Sequence, residues 1–188
     1  MRGILISMIM MLGSTGLWAQ GSTDCNTLEP ICTDAGLNFT AQSNVPNAST
    51  TNPGNDYDCL FTSPNPTWYY LEIETDGNIE MSLSAPSDID FVIYGPFSDL
   101  ASAEAGCETY GTGSGAPVVD CSYSATNMET PEIPNGQVGE FYVMLITNYA
   151  NTVQDIDLSQ TGGTGDAACS VTIPPCVADA GTFTYQVN

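Results

Sequence analysis

Two carboxylates, Asp88 and Asp90, stand at the mouth of PSDIDFVIYGPF, residues 86–97, a stretch that otherwise reads as a buried β-strand. A period of two places them on one face and Ile89, Phe91 and Ile93 on the other. At a rise of about 3.3 Å per residue the two acids leave the strand roughly 6.6 Å apart, so both can reach one cation at about 2.4 Å. The hard, oxygen-seeking ion that suits this pattern is Ca²⁺. It takes about six to eight oxygens, which makes loop carbonyls and Asp56, Asp58 or Asp99 the candidates for the remaining ligands. The competing reading is that both acids end the strand and face water.

The charge balance sharpens the question. The chain has 188 residues and 22 Asp plus Glu, with no His and a single Lys or Arg, which is Arg2. The segment MRGILISMIMMLGSTGLWAQ, residues 1–20, has a basic start, an apolar run and small residues near its end, in the order of a secretory signal peptide. Its apolar run is shorter than the roughly 20 residues a membrane span needs. Once it is removed, no side chain can form a salt bridge, ligate zinc through imidazole or form a Schiff base. Nucleic acid and anionic membrane are both repelled as partners, because binding either requires Lys or Arg. Carboxylate chemistry and oxygen-bound cations remain, and the localisation expected is extracellular or at the cell surface.

Seven cysteines behind an export signal argue for disulfides. Cys107 and Cys121 flank a Gly-rich loop whose closure would stabilise by about 3 kcal/mol. Cys25, Cys32, Cys59 and Cys169 are further candidates, with their pairing left open. The text CNTLEPICTDAGLNFT from Cys25 is echoed by CSVTIPPCVADAGTFT from Cys169, an offset of 144 residues for both cysteines and for Phe39 to Phe183. This predicts a module over 21–168 and, over 169–188, the start of a second module or a linker, with Cys176 seeking a partner farther along.

Between those cysteine pairs the pattern is one of short strands. GNIEMSLS alternates Ile79, Met81 and Leu83 against polar neighbours, and TWYYLEIET precedes it; Asp76 and Gly77 between them predict a two-residue hairpin. FYVMLITN, residues 141–148, is apolar on both faces and reads as a central strand. TVQDIDLSQ alternates again. Only SDLASAEAG looks helical, with Ser98 as N-cap and Gly106 past the end. Residues 41–67, poor in apolar side chains, read as an irregular surface loop. The fold class predicted is all-β, an antiparallel β-sandwich or jelly roll with at most one short helix.

The order of a Trp-Tyr strand, a Gly turn, Asp-x-Asp before a strand and a late FYVMLITN strand resembles the β-sandwich modules related to bacterial pre-peptidase C-terminal domains. The texts GPF, CSYS, IPN, LITN and QTGGTG, followed by a cysteine, are similar to repeated modules of large secreted or surface proteins of gliding bacteria, cargo of the type IX secretion pathway. The likeness covers roughly residues 24–176. It implies a non-catalytic extracellular module, structural or adhesive, whose partners are neighbouring modules of the same chain and surface glycans or proteins; relatives of this kind often bind Ca²⁺. An alternative is a carbohydrate-binding or accessory module of a secreted hydrolase or protease, for which Trp68, Tyr70 and Tyr149 are candidate sugar contacts, although aromatics in strands are more often core. No catalytic residue is assigned: a carboxylate enzyme needs two acids about 5 to 9.5 Å apart in a cleft, and 22 acids supply pairs by chance.

Overall fold

The computed structural model describes residues 20–32 and 36–168. The signal segment, Cys169, Cys176 and the second cysteine-DAG text lie outside the described residues. Two β-sheets face each other. The first runs β1 (Glu29–Pro30), β3 (Pro66–Thr75), β9 (Phe141–Thr147), β5 (Asp90–Phe97), β6 (Val118–Ser122), with β11 (Asp166–Ala167) also on β3. The second runs β2 (Leu37–Ala41), β10 (Gln154–Gly163), β4 (Gly77–Ser84), β7 (Met128–Glu129), with β8 (Glu132–Gly136) also on β4. This is the all-β sandwich the strand pattern predicts.

Alternation assigns the faces. Tyr69, Leu71 and Ile73 of β3, Tyr142, Met144 and Ile146 of β9 and Phe91 and Ile93 of β5 point inward, against Ile79, Met81 and Leu83 of β4 and Ile156 and Leu158 of β10. The opposite faces of the two sheets differ. On the second, Asp155 and Asp157 alternate outward into solvent. On the first, Trp68, Tyr70, Val92, Tyr94, Val143 and Leu145 form a second apolar layer that also has to be covered. β9, at the middle of this sheet, is buried along its whole length, as its unbroken apolar text requires.

The cover comes from the segment between β2 and β3, which is not the irregular surface loop its composition suggests. It holds a four-residue helix, α1 (Ala48–Thr51), buries Tyr57 and Leu60, and buries Asn52, Asn55, Ser63 and Asn65 as well. α2 (Leu100–Ala105) lies on the same side, so there are two short helices among the described residues where one was expected. Its N-cap is Asp99, not Ser98: the Ser102 N–H donates to Asp99 Oδ1 at 2.6 Å. Hydrogen bonds tie the cover down, with Tyr94 Oη donating to the Asp56 carbonyl (3.0 Å) and the Asp56 N–H to the Tyr110 carbonyl (2.7 Å).

The disulfides are stitched through the same layer. Cys25 pairs with Cys107 and Cys59 with Cys121, so the expected closure of Cys107 onto Cys121 does not occur. Cys121 sits opposite Val92 in the β5–β6 ladder and shares its outward face, which turns its sulfur toward Cys59 in the cover. Cys107 follows α2 and meets the N-terminal segment instead. Cys32 is disulfide-bonded as well. These bonds fit an oxidising, extracellular environment, and no helix among the described residues is long and apolar enough to cross a membrane.

The Asp76-Gly77 turn corrects the hairpin expectation. β3 pairs with β9 and β4 with β10 and β8, so the turn carries the chain from one sheet to the other. The facing pattern is the same in both arrangements: Leu71 and Ile73 meet Ile79 and Met81 across the interior, not side by side on one sheet. Gly77 makes the corner possible, with φ of +139° and no room for a Cβ against Thr164 Oγ1 and the Gly165 amide. Gly77→Ala is therefore expected to destabilise the fold by about 1–3 kcal/mol, read from the urea midpoint at unchanged slope.

Candidate cation site

Acids outnumber cations so heavily that neutral donors must hold them, and most of the time they do. Thr40 Oγ1 donates to Asp155 and Asn38 Nδ2 to Asp157, both at 2.7 Å across the β2–β10 ladder. The backbone N–H groups of Cys121 and Glu132 hold the two oxygens of Asp120 at 2.8 and 2.7 Å, and the Val138 N–H holds Asp76 at 2.7 Å. Asp24 accepts from the Asn26 N–H and side chain, which holds its carboxyl below the usual carboxylate range.

The exception is the pair at the mouth of β5. Asp88 is half-buried and Asp90 is 2 % exposed. Asp90 Oδ1 accepts from the Ser124 N–H (3.1 Å), but Asp90 Oδ2 and Asp88 Oδ1 are buried with no donor. The register sets Thr147 directly across from Asp90, on the same outward face as Leu145 and Val92, and Thr147 Oγ1 is likewise buried without a partner. Of the five such side-chain atoms among the described residues, these three gather at one end of one sheet. Asp88 and Asp90 line a recess of about 100 Å³ together with Tyr123, Ser124, Ala125 and Tyr149. Behind Ser124 a third acid, Glu129, is held by Ser124 Oγ (2.6 Å) and Thr126 Oγ1 (3.2 Å).

Neutral amides fix the loops that shape the recess. Gln154 Nε2 donates to Asn148 Oδ1 at 2.8 Å while Gln154 Oε1 accepts from the Ser87 N–H, also at 2.8 Å. Asn148 Nδ2 reaches the carbonyls of Gln42 and Thr152, and Asn65 Nδ2 the carbonyl of Asn148. The Ala150 N–H donates to the Asp88 carbonyl at 3.1 Å. Tyr149, between these anchors, is thereby presented beside the two acids. Its ring stands edge-on to Tyr123, centroids 5.6 Å apart and planes at 87°.

The other ligands suggested by sequence are elsewhere. Asp99 caps α2, Asp56 accepts from the Asp58 N–H in its own turn (2.9 Å), and none of Asp56, Asp58 and Asp99 lines the recess. Glu129, Thr147 and Tyr123 take their places near the pair; they were hidden because strand register brings them there, and only the text CSYS hinted at a polar-aromatic corner. Among the suggested sugar contacts, Trp68 and Tyr70 are buried in the outer apolar layer and offer no face to a ligand. Tyr149 is 42 % exposed, but Tyr123 beside it stands perpendicular, so the two do not form the coplanar pair a sugar platform would need. Asp24 clusters with the sulfurs of Cys25 and Cys107, which are spent on their disulfide and are not thiolate ligands. No known protein family matches the chain, and no curated protein is similar to it.

Burial first, and then the charge of Asp88, pushes Asp90 up to about 7; the Ser124 N–H opposes and Glu129 adds to the rise. Burial and Glu129 raise Asp88 as well. The folded protein therefore holds a proton on Asp90 that the unfolded chain releases near pH ~4. The resulting stability is complete below that value and is lost as pH rises through about 7. In buffer free of divalent ions the urea-derived stability is expected to fall by about 2–4 kcal/mol between pH 5 and 8, and Asp90→Asn to flatten that fall.

Proposed function

We propose that this chain is a non-catalytic extracellular module, structural or adhesive, whose paired carboxylates at the mouth of β5 are completed by a cation from outside. One observation carries the reading: Asp88 Oδ1 and Asp90 Oδ2 are buried without a donor in a chain whose only basic side chain is Arg2. An unpaired buried charge is costly, and no rearrangement of residues 20–188 can supply a positive side chain. The two disulfides among the described residues, Cys25–Cys107 and Cys59–Cys121, and the resemblance to repeated secreted modules of gliding bacteria support the extracellular setting. Partners on this reading are neighbouring modules of the same chain and surface glycans or proteins.

Ca²⁺ is the soluble ion that fits the donors. Asp88 and Asp90 would hold it, with the Thr147 hydroxyl, across the ladder from Asp90, a further candidate oxygen and water completing a shell of about six to eight. A protein contribution this small implies affinity no better than about millimolar. Carboxylate catalysis is the weaker reading, even though Asp90 has the raised pKa of a general acid. The recess of about 100 Å³ is well below the roughly 300–1,000 Å³ of small-molecule sites and does not admit the two sugar rings that flank a scissile bond.

At pH 8, Ca²⁺ at ten times its dissociation constant is expected to raise the melting temperature by about 3–5 °C. The double variant Asp88→Asn, Asp90→Asn should melt without that increment. A parent protein whose melting point ignores Ca²⁺ up to tens of millimolar, about ten times a millimolar dissociation constant, would remove the metal from this reading.

A further inference from the structure

We propose that the recess between Asp88, Asp90, Tyr123 and Tyr149 receives a primary ammonium group, the lysine side chain of a partner polypeptide. The inference rests on the reading that this carboxylate pair takes its counter-charge from outside, and it names the partner. Three features favour an ammonium over a bare metal ion. The recess has two aromatic walls, and rings set at 87° form two sides of a cage around a cation, with the aliphatic stem of the residue lying against them. The unpartnered oxygens, Asp88 Oδ1 and Asp90 Oδ2, ask for N–H donors, and a primary ammonium carries three. They also belong to separate carboxylates, which suits divergent tetrahedral donors better than the planar guanidinium fork that grips both oxygens of one carboxylate.

The surroundings extend the match. Phe61, 88 % exposed, packs edge-on against Tyr123 at 5.7 Å, and Thr62 Oγ1 meets the Tyr123 hydroxyl at 3.2 Å, so an aromatic ledge continues from the recess across the surface. No side chain within residues 1–188 can be the donor, because they contain no lysine. The partner is therefore a lysine-bearing polypeptide segment outside these residues, and Ca²⁺ and lysine compete for the same two oxygens.

The test titrates the protein at pH 8, in Ca²⁺-free buffer, with Nα-acetyl-lysine methylamide, its neutral norleucine counterpart and its ε-trimethyl derivative, following the Tyr123 and Tyr149 ring signals by NMR. Expected is saturable millimolar binding of the lysine probe alone, weakened at least tenfold by Asp90→Asn, several-fold by Tyr149→Ala, and competitively by Ca²⁺. Tyr149 is exposed enough that its alanine variant should keep the parent's melting temperature, and Asp90→Asn is accepted only with parent-like backbone spectra. Equal binding of norleucine would reduce the recess to an apolar contact, and equal binding of the trimethyl probe would make it a quaternary-ammonium site; either overturns the proposal. Stabilisation by Ca²⁺ with no lysine binding overturns the ammonium and leaves the cation reading standing. A protein that responds to neither loses both.

Discussion

Because no positive side chain within these 188 residues follows Arg2, a carboxylate in this sandwich is held by a neutral N–H or O–H group or by water, or, as with one oxygen each of Asp88 and Asp90, has no donor at all. That constraint gives the work of holding acids to Asn, Ser and Thr side chains and to backbone N–H groups. Cross-strand Thr40–Asp155 and Asn38–Asp157 pairs replace ion pairs on the solvent face of the second sheet. At the loop end of the first sheet the amides of Asn65, Asn148 and Gln154 hold backbone and side-chain carbonyls in the same neutral way. Neutral donors bring less Coulomb energy than a salt bridge, but they carry little desolvation penalty, which suits them to the partly buried loops they organise.

The second constraint is that the first sheet is apolar on both faces. One face meets the other sheet; the opposite one, from Trp68 to Leu145, obliges the long segment before β3 and the helix after β5 to pack over it. Packing those segments down brings their ends to the edge where Asp88 and Asp90 leave the strand. The recess opens at that edge, among the connections that lead into β5 and out of β6 and β9. Its acids come from the start of β5 and the connection before it, and its aromatic walls, Tyr123 and Tyr149, from the connections after β6 and β9.

What the text revealed and what it hid divide along the same line. β9 was legible because its residues are apolar without alternation, and β10 because Ile156 and Leu158 alternate with Asp155 and Asp157. The Asp76-Gly77 turn was misread because the turn residues and the alternation beside them are common to a hairpin and to a crossing between layers. Only the distant partners of β3 and β4 separate the two, and pairing at such sequence distance leaves no local trace. The Asp88–Asp90 pair was visible from its spacing. Thr147 was not, since its place opposite Asp90 is a matter of register; nor was Glu129, brought near by β7 from about 40 residues away.

The two described disulfides interleave: Cys59 lies within the loop closed by Cys25 and Cys107, and Cys107 within the loop closed by Cys59 and Cys121. A single backbone cut anywhere between Cys25 and Cys121 therefore leaves both pieces in one covalent molecule. A protease that nicks the covering segment releases no fragment, and the module outlasts a first cleavage with its strands still tethered to one another.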